Sequence, residues 1–317
     1  MEGTVRRTEI YRGRKAALAT MHGKERAIEA PMRTLLGLEI EVEDEDTDAL
    51  GTFTGEIARP GTMRETAISK ARLGMRRTGC PVGLASEGSY GPHPFVPFLP
   101  TGTELLVLVD DANGYIIQES LVCEKTNFGH VTATDIGMIE AFLDRVRFPG
   151  HALIVQPNQP VEERGARLAA YARRLMQAAA FRRSIAAGPA KSIIYKGVQC
   201  EDALKAAFDE CARLSQDGQV LVTTDMRAFA NPTRMNSICL LADRLAERVA
   251  CPCSACGAPG YGRVEPKRGL PCAFCGHPTD LVAFEVMGCI ACECSEERPR
   301  PDGATSAPAT YCAWCNP

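Results

Sequence analysis

Over the first 250 residues, apolar positions fall into short runs separated by stretches with helical spacing, the alternation of an α/β domain. Residues 15–20 are predicted as a strand, 24–36 as a helix with Pro31 as a kink point, and 38–42 as a strand. Residues 62–77 put Ala67, Ala71 and Met75 on one helical face and lead into an apolar strand at 81–85. Strands at 104–109 and 114–118 flank Asp110-Asp111-Ala112-Asn113, a hairpin connection, so the sheet is expected to be mixed. A helix at 135–147, strands at 152–156 and 193–198, a helix at 201–214, a strand at 220–224 and a helix at 234–249 complete the pattern. Residues 162–191 carry seven basic and two acidic side chains beside an apolar stripe of Leu168, Tyr171, Leu175 and Ala179, and read as a helix with a solvated basic face.

After residue 250 the periodicity stops and cysteine takes over: ten of the fifteen cysteines lie between Cys251 and Cys315. The expected organisation is therefore an α/β domain over 1–250 and a small Cys-rich zinc-ribbon domain over 251–317. Residues 1–15 are polar and basic without an apolar stretch of signal-peptide length, and no apolar run approaches the ~20 residues of a membrane span. A cytoplasmic protein with no membrane partner is expected, and in that setting the cysteines read as metal ligands rather than disulfides.

The spacing supports metal. Cys253-x2-Cys256 and Cys272-x2-Cys275 are 15 residues apart, and Cys289-x2-Cys292 and Cys312-x2-Cys315 are 19 apart. A two-residue gap lets both sulfurs of a pair reach one ion, and two pairs complete a zinc tetrahedron. Two structural zinc sites are expected. Pairing in sequence order makes two consecutive ribbons, and alternate pairing makes a cross-braced module of the RING type. Spacing does not separate them, and consecutive ribbons are the expectation adopted. Cys251, Cys294 and His277 are left outside the ligand sets. Four thiolates leave no open coordination position, so catalysis is sought elsewhere.

The whole chain has 36 Lys+Arg against 39 Asp+Glu, a formal net charge of -3. The tail has five basic and seven acidic side chains, and with two zinc-loaded sites its charge is about -6. Nucleic acid is disfavoured as a partner, and a protein partner through the zinc tail fits this charge better.

Candidate chemistry in the α/β region begins with Thr20-Met-His-Gly-Lys24, between a strand and a helix, where amides and a lysine can hold a phosphate. Glu56-Ile-Ala-Arg-Pro-Gly-Thr62, Lys70-Ala-Arg72 and Ala85-Ser-Glu-Gly-Ser-Tyr90 follow in that order. The series resembles the inosine triphosphate pyrophosphatase family, more closely its inosine/xanthosine triphosphatase branch, over about residues 15–120. The resemblance implies an ITPase-like α/β fold in which Lys24 and Lys70 contact phosphates while Glu56 and Glu87 hold Mg²⁺ or activate water. Met21-His22 stands where that family has Asn, and Ser86-Glu87 where the pyrophosphatase branch has two acids.

A second cluster, Thr224-Asp-Met-Arg-Ala-Phe-Ala-Asn-Pro-Thr-Arg-Met235, joins an apolar strand to an amphipathic helix. Asp225 can ligate a metal or orient a base, Arg227 and Arg234 can grip phosphate, and Asn231 can cap the helix or contact a ligand. Together with the cysteine tail, these motifs also resemble an uncharacterised bacterial family of unknown function. The expected activity is Mg²⁺-dependent hydrolysis of a phosphoanhydride in a nucleotide or phosphorylated small molecule. The alternative is a non-catalytic zinc-binding module for a ligand or a protein.

Overall fold

The computed structural model describes residues 9–43, 61–93, 99–158 and 193–316. The basic helix expected at 162–191 and the candidate ligand Glu56 lie outside these residues. The chain forms two compact units, the first from residues 1–89, 103–121 and 237–317, the second from 90–102 and 122–236. Among the described residues, two sheets stand in 1–250 where the pattern led to a single mixed sheet, and a third lies in the cysteine-rich segment. Strand periodicity reports which face is buried, not which strands pair, so it pooled elements that belong to separate sheets.

The first sheet has the order β2-β1-β3-β4-β5: β1 (Lys15–Ala19), β2 (Glu39–Glu43), β3 (Val82–Pro92), β4 (Pro100–Asp110) and β5 (Tyr115–Cys123). β1 runs parallel to both neighbours, and its Ala16, Ala17 and Leu18 are fully buried. Helix α1 (Glu25–Leu36) links β1 to β2, burying Ile28, Met32 and Leu36 at i, i+4 and i+8. Pro31 lies within this helix.

Helix α2 (Met63–Thr78) links β2 to β3 and starts with a reciprocal cap: Thr62 Oγ1 accepts from Glu65 N–H, and the Glu65 carboxylate accepts from Thr62 N–H. It packs closely on the sheet because small residues meet there. A Cβ on Gly74 would lie 3.3 Å from the Cβ atoms of Ala17 and Ala19, and one on Gly83 would lie 2.6 Å from the Ala71 carbonyl.

In the second unit, β6 (His130–Ala133), β7 (Leu153–Pro157), β8 (Tyr195–Val198) and β9 (Val220–Thr224) form an antiparallel sheet in the order β6-β9-β7-β8. Helix α3 (Glu140–Val146), preceded by a 3₁₀ turn, and helix α4 (Glu201–Leu214) bury Phe142, Val146, Leu204 and Phe208 against Leu153, Val155, Val220 and Val222.

Helix α5 (Pro232–Ala250) has its buried side chains Ile238, Leu241, Ala242, Leu245, Ala246 and Val249 at helical spacing within the first unit. Arg248 near its end donates to the Gln118 carbonyl at 2.7 Å, to Glu119 at 2.9 Å and to the Gly260 carbonyl at 3.2 Å. This one guanidinium joins β5, the helix and the start of the cysteine-rich segment. There β10 (Gly262–Arg268), β11 (Val282–Gly288) and β12 (Ser295–Pro299) make the third sheet, antiparallel throughout. No helix among the described residues is long and apolar enough to cross a membrane.

Candidate functional site

The eight expected ligands form two groups, but not in sequence order. Cys253, Cys256, Cys289 and Cys292 make one group, and Cys272, Cys275, Cys312 and Cys315 make the other. Each could hold a metal ion, with its four sulfurs within 4.8 Å of one another. The expectation of consecutive ribbons is thus corrected to an interleaved, cross-braced arrangement.

The third sheet explains the pairing. Register places Gly262 opposite Gly288 and Arg268 opposite Val282. The knuckle before β10 therefore meets the knuckle after β11 at one end of the hairpin. The 272–275 knuckle lies at the other end, a strand length of roughly 24 Å away. β12 starts at the first end, with Ser295 opposite Gly288, and carries the chain back to deliver Cys312 and Cys315 to the second.

The sulfur geometry fits zinc. Ligands about 2.3 Å from a tetrahedral ion lie about 3.8 Å apart. The distances across knuckles are 3.8 Å for Cys253–Cys292, 3.6 Å for Cys256–Cys289, 4.0 Å for Cys272–Cys315 and 3.6 Å for Cys275–Cys312. All are far longer than the ~2.05 Å of a disulfide. Gly257 and Gly276, at φ 75° and 73°, turn the chain so that their N–H groups reach the carbonyls of Cys253 and Cys272 at 2.9 Å. Backbone N–H groups of Cys256 and Ala255 hold the Cys253 thiol down at about 6, and those of Cys275 and Phe274 hold Cys272 at about 7. In the second group the Cys275 thiol, then burial, push Cys315 up to about 12. Four crowded sulfurs resist complete ionisation unless a cation compensates them. Cys251, Cys294 and His277 lie outside both groups.

In the first unit, Lys24, Lys70 and Glu87 come together around the Ser86-Glu87 step of β3. Lys24 Nζ donates to the Ser86 carbonyl at 3.0 Å, and Lys70 Nζ pairs with Glu87 Oε1 at 2.6 Å. Lys24 and Lys70 are each 9% exposed and Glu87 is 7% exposed. The Ser86 hydroxyl is buried without a hydrogen-bond partner among the described residues.

Topology selects this place. From β1 the chain moves to β2 on one side, then crosses to β3 on the other, so strand order reverses between β1 and β3. Residues 20–24 follow the carboxyl end of β1, and Ser86-Glu87, in the middle of β3, lie level with that end because Leu18 pairs with Leu84; this is the side of the strand-order reversal on which open parallel sheets form a ligand crevice. Sequence reasoning missed the fully buried Glu104 of β4, an acid at the start of an apolar run that no motif flags.

The Mg²⁺ expected on Glu56 and Glu87 receives no support. The Glu87 carboxylate is bound to Lys70. Among the described residues, the only groups of three or more metal-ligating side chains are the two cysteine sets.

The remaining candidates lie in the second unit and bind one another. Fully buried Asp225 accepts from the Arg227 backbone N–H at 3.0 Å and from its guanidinium at 2.6 Å. Asn231 caps α5 by accepting from Arg234 N–H at 3.0 Å, and its amide donates to the Asp225 carbonyl at 3.2 Å and to Asn127 Oδ1 at 3.0 Å. The Arg234 guanidinium is buried, donates to the Met226 carbonyl and lies 5.8 Å from the Tyr90 ring centroid. His151 Nε2 faces Thr233 Oγ1 at 2.9 Å, and burial holds this imidazole below its ordinary pKa. Asn127 and His151 carry no sequence signal, because each acts through a loop distant in the chain.

A family model described as a domain of unknown function, DUF6671, matches residues 70–166 and 179–317, about three quarters of the chain. No curated protein and no solved structure matches it. The likeness to inosine triphosphate pyrophosphatases therefore rests on the motifs alone.

Proposed function

The chain belongs to the DUF6671 family, and from that premise we propose that it is a zinc-stabilised α/β protein that binds a phosphorylated small molecule at the carboxyl end of β1, beside the middle of β3. The observation that carries this reading is the burial of Lys24 and Lys70 at the strand-order reversal, Lys24 on the Ser86 carbonyl and Lys70 on the Glu87 carboxylate. A buried ammonium is costly to desolvate and is retained where it is paired. Glu87 pairs Lys70 in the protein as it stands. A phosphate group entering the crevice competes with Glu87 for Lys70 and offers the Ser86 hydroxyl an acceptor. The two tetrathiolate groups are closed sites, so zinc there holds the fold rather than acting on substrate. Asp225, Arg227, Asn231 and Arg234 serve first to build the loop that starts α5.

The test is the thermal stability of the full chain with inorganic phosphate, pyrophosphate and a panel of nucleoside triphosphates. The reading predicts a concentration-dependent stabilisation that Lys24→Met and Lys70→Met each remove. Stabilisation that survives both substitutions, or none with any ligand, would sink it.

The position of Glu87 beside Lys70 favours a second reading, hydrolysis of the bound phosphoanhydride. In it Lys70 turns to the phosphate, and the released Glu87 carboxylate takes a proton from a water whose oxygen bonds to phosphorus as the bridging P–O bond breaks and the phosphate or pyrophosphate leaves with that electron pair. Phosphate or pyrophosphate release that Glu87→Gln abolishes while ligand binding persists would establish it; release equal in the two proteins would rule it out.

A further inference from the structure

The two metal groups are not equivalent on their outer surfaces. The spacer residues of the first group are Ser254-Ala255 and Ile290-Ala291, and those of the second are Ala273-Phe274 and Ala313-Trp314. Phe274 is 85% exposed, Trp314 72%, and Tyr311, adjacent to Cys312, 60%. Trp314 reaches the opposite knuckle, where His277 stacks on it with ring centroids 4.9 Å apart and planes within 2°. Three large aromatic side chains are thus displayed around one four-sulfur group, while the other group displays none. Packing does not explain them, since little covers them, and exposed apolar clusters of this kind mark contact surfaces.

Charge narrows the partner. Residues 269–281 and 301–317 contain no Lys or Arg, and their acids are Asp280 and Asp302. Asp302 is paired with Arg300; Asp280 is exposed, and its backbone carbonyl accepts from Arg268 at 2.6 Å, so one cation stands at this edge against the charge of the four thiolates. A zinc ion in four thiolates leaves the group with two negative charges. Aromatic faces on an anionic base attract cations, and guanidinium or ammonium groups lie favourably over Trp, Tyr and Phe rings.

We propose that the Phe274, Tyr311 and Trp314 surface of the second cysteine group is a docking site for an Arg- or Lys-bearing segment of a partner protein. The aromatic rings take the aliphatic stems and cationic heads, and the zinc-thiolate group with Asp280 supplies the complementary charge. Single-stranded nucleic acid, which also stacks on aromatics, is repelled by the same charge. The proposal rests on zinc occupancy of the second group and is independent of the phosphate site.

Trp314 is the only tryptophan of the chain, so its fluorescence reports this surface directly. The full-length zinc-loaded protein is titrated with a short Arg/Gly peptide, its Glu/Gly counterpart and oligo(dT), with bound zinc measured on the same samples. Saturable quenching or shift is expected with the Arg/Gly peptide alone, weakening as salt rises. Phe274→Ala and Asp280→Lys, both at exposed positions, are expected to weaken binding about tenfold each with zinc retained. Ile290→Ala, on the other group, changes nothing. Binding of oligo(dT) or of the Glu/Gly peptide, no saturable binding with zinc present, or unchanged affinity in Phe274→Ala and Asp280→Lys would each overturn the proposal.

Discussion

The Lys70–Glu87 pair is buried on both sides, so substituting one partner strands the other's charge or leaves it underpaired. Glu87→Ala should cost about 3 kcal/mol in urea unfolding, and phosphate should recover part of the loss by taking the place of the carboxylate at Lys70. Asn231 combines a helix cap with two bonds to neighbouring loops. Asn231→Ala should cost about 2 kcal/mol by the same measurement. His151 sets a pH dependence. Its imidazole resists protonation in the fold but not in the unfolded chain, so its contribution is complete above the ordinary value of about 6.5 and is lost as pH falls below it. Thermal unfolding of the wild type between about pH 8 and about pH 5.5 should therefore fall more steeply than that of His151→Gln. The motif series that resembles inosine triphosphate pyrophosphatases placed Lys24, Lys70 and Glu87, with Glu56, in one candidate site. It could not show that Glu87 is already bonded to Lys70, since that depends on α2 seating closely on β3.

That seating is a property of elements. Gly83 faces the Ala71 carbonyl and Met75, and a Cβ there would lie 2.6 Å from one and 2.8 Å from the other. Gly83→Ala should destabilise the protein by about 1–3 kcal/mol and loosen Lys70 from Glu87, visible as weaker protection of α2 amides from hydrogen exchange. Elements with a strong apolar period were legible: α4 was expected at 201–214 and spans Glu201–Leu214, and β9 was expected at 220–224 and spans Val220–Thr224. β6 has four residues, too few for its alternation to stand out. β10 is exposed along nearly all of its length and contains Pro266. It carries no burial pattern to read, because its position comes from the metal knuckles at its flanks rather than from a core.

At the scale of the molecule, cysteine spacing disclosed which eight cysteines gather into two groups but not how the pairs combine. Pairing follows from the register of Gly262 against Gly288 and of Gly288 against Ser295, which no spacing encodes. Interleaving ties each end of the third sheet to a different metal group, so losing either ion should release one end and leave the other held. The account therefore stands most directly on the zinc content of two full-length variants after dialysis against a chelator. With Cys253, Cys256, Cys289 and Cys292 all changed to Ser, one complete group remains, and one zinc per chain is predicted. With Cys253, Cys256, Cys272 and Cys275 changed to Ser, each group keeps only two ligands, and none is predicted. The reverse result, no zinc in the first variant and one in the second, would contradict the cross-braced arrangement and restore consecutive ribbons.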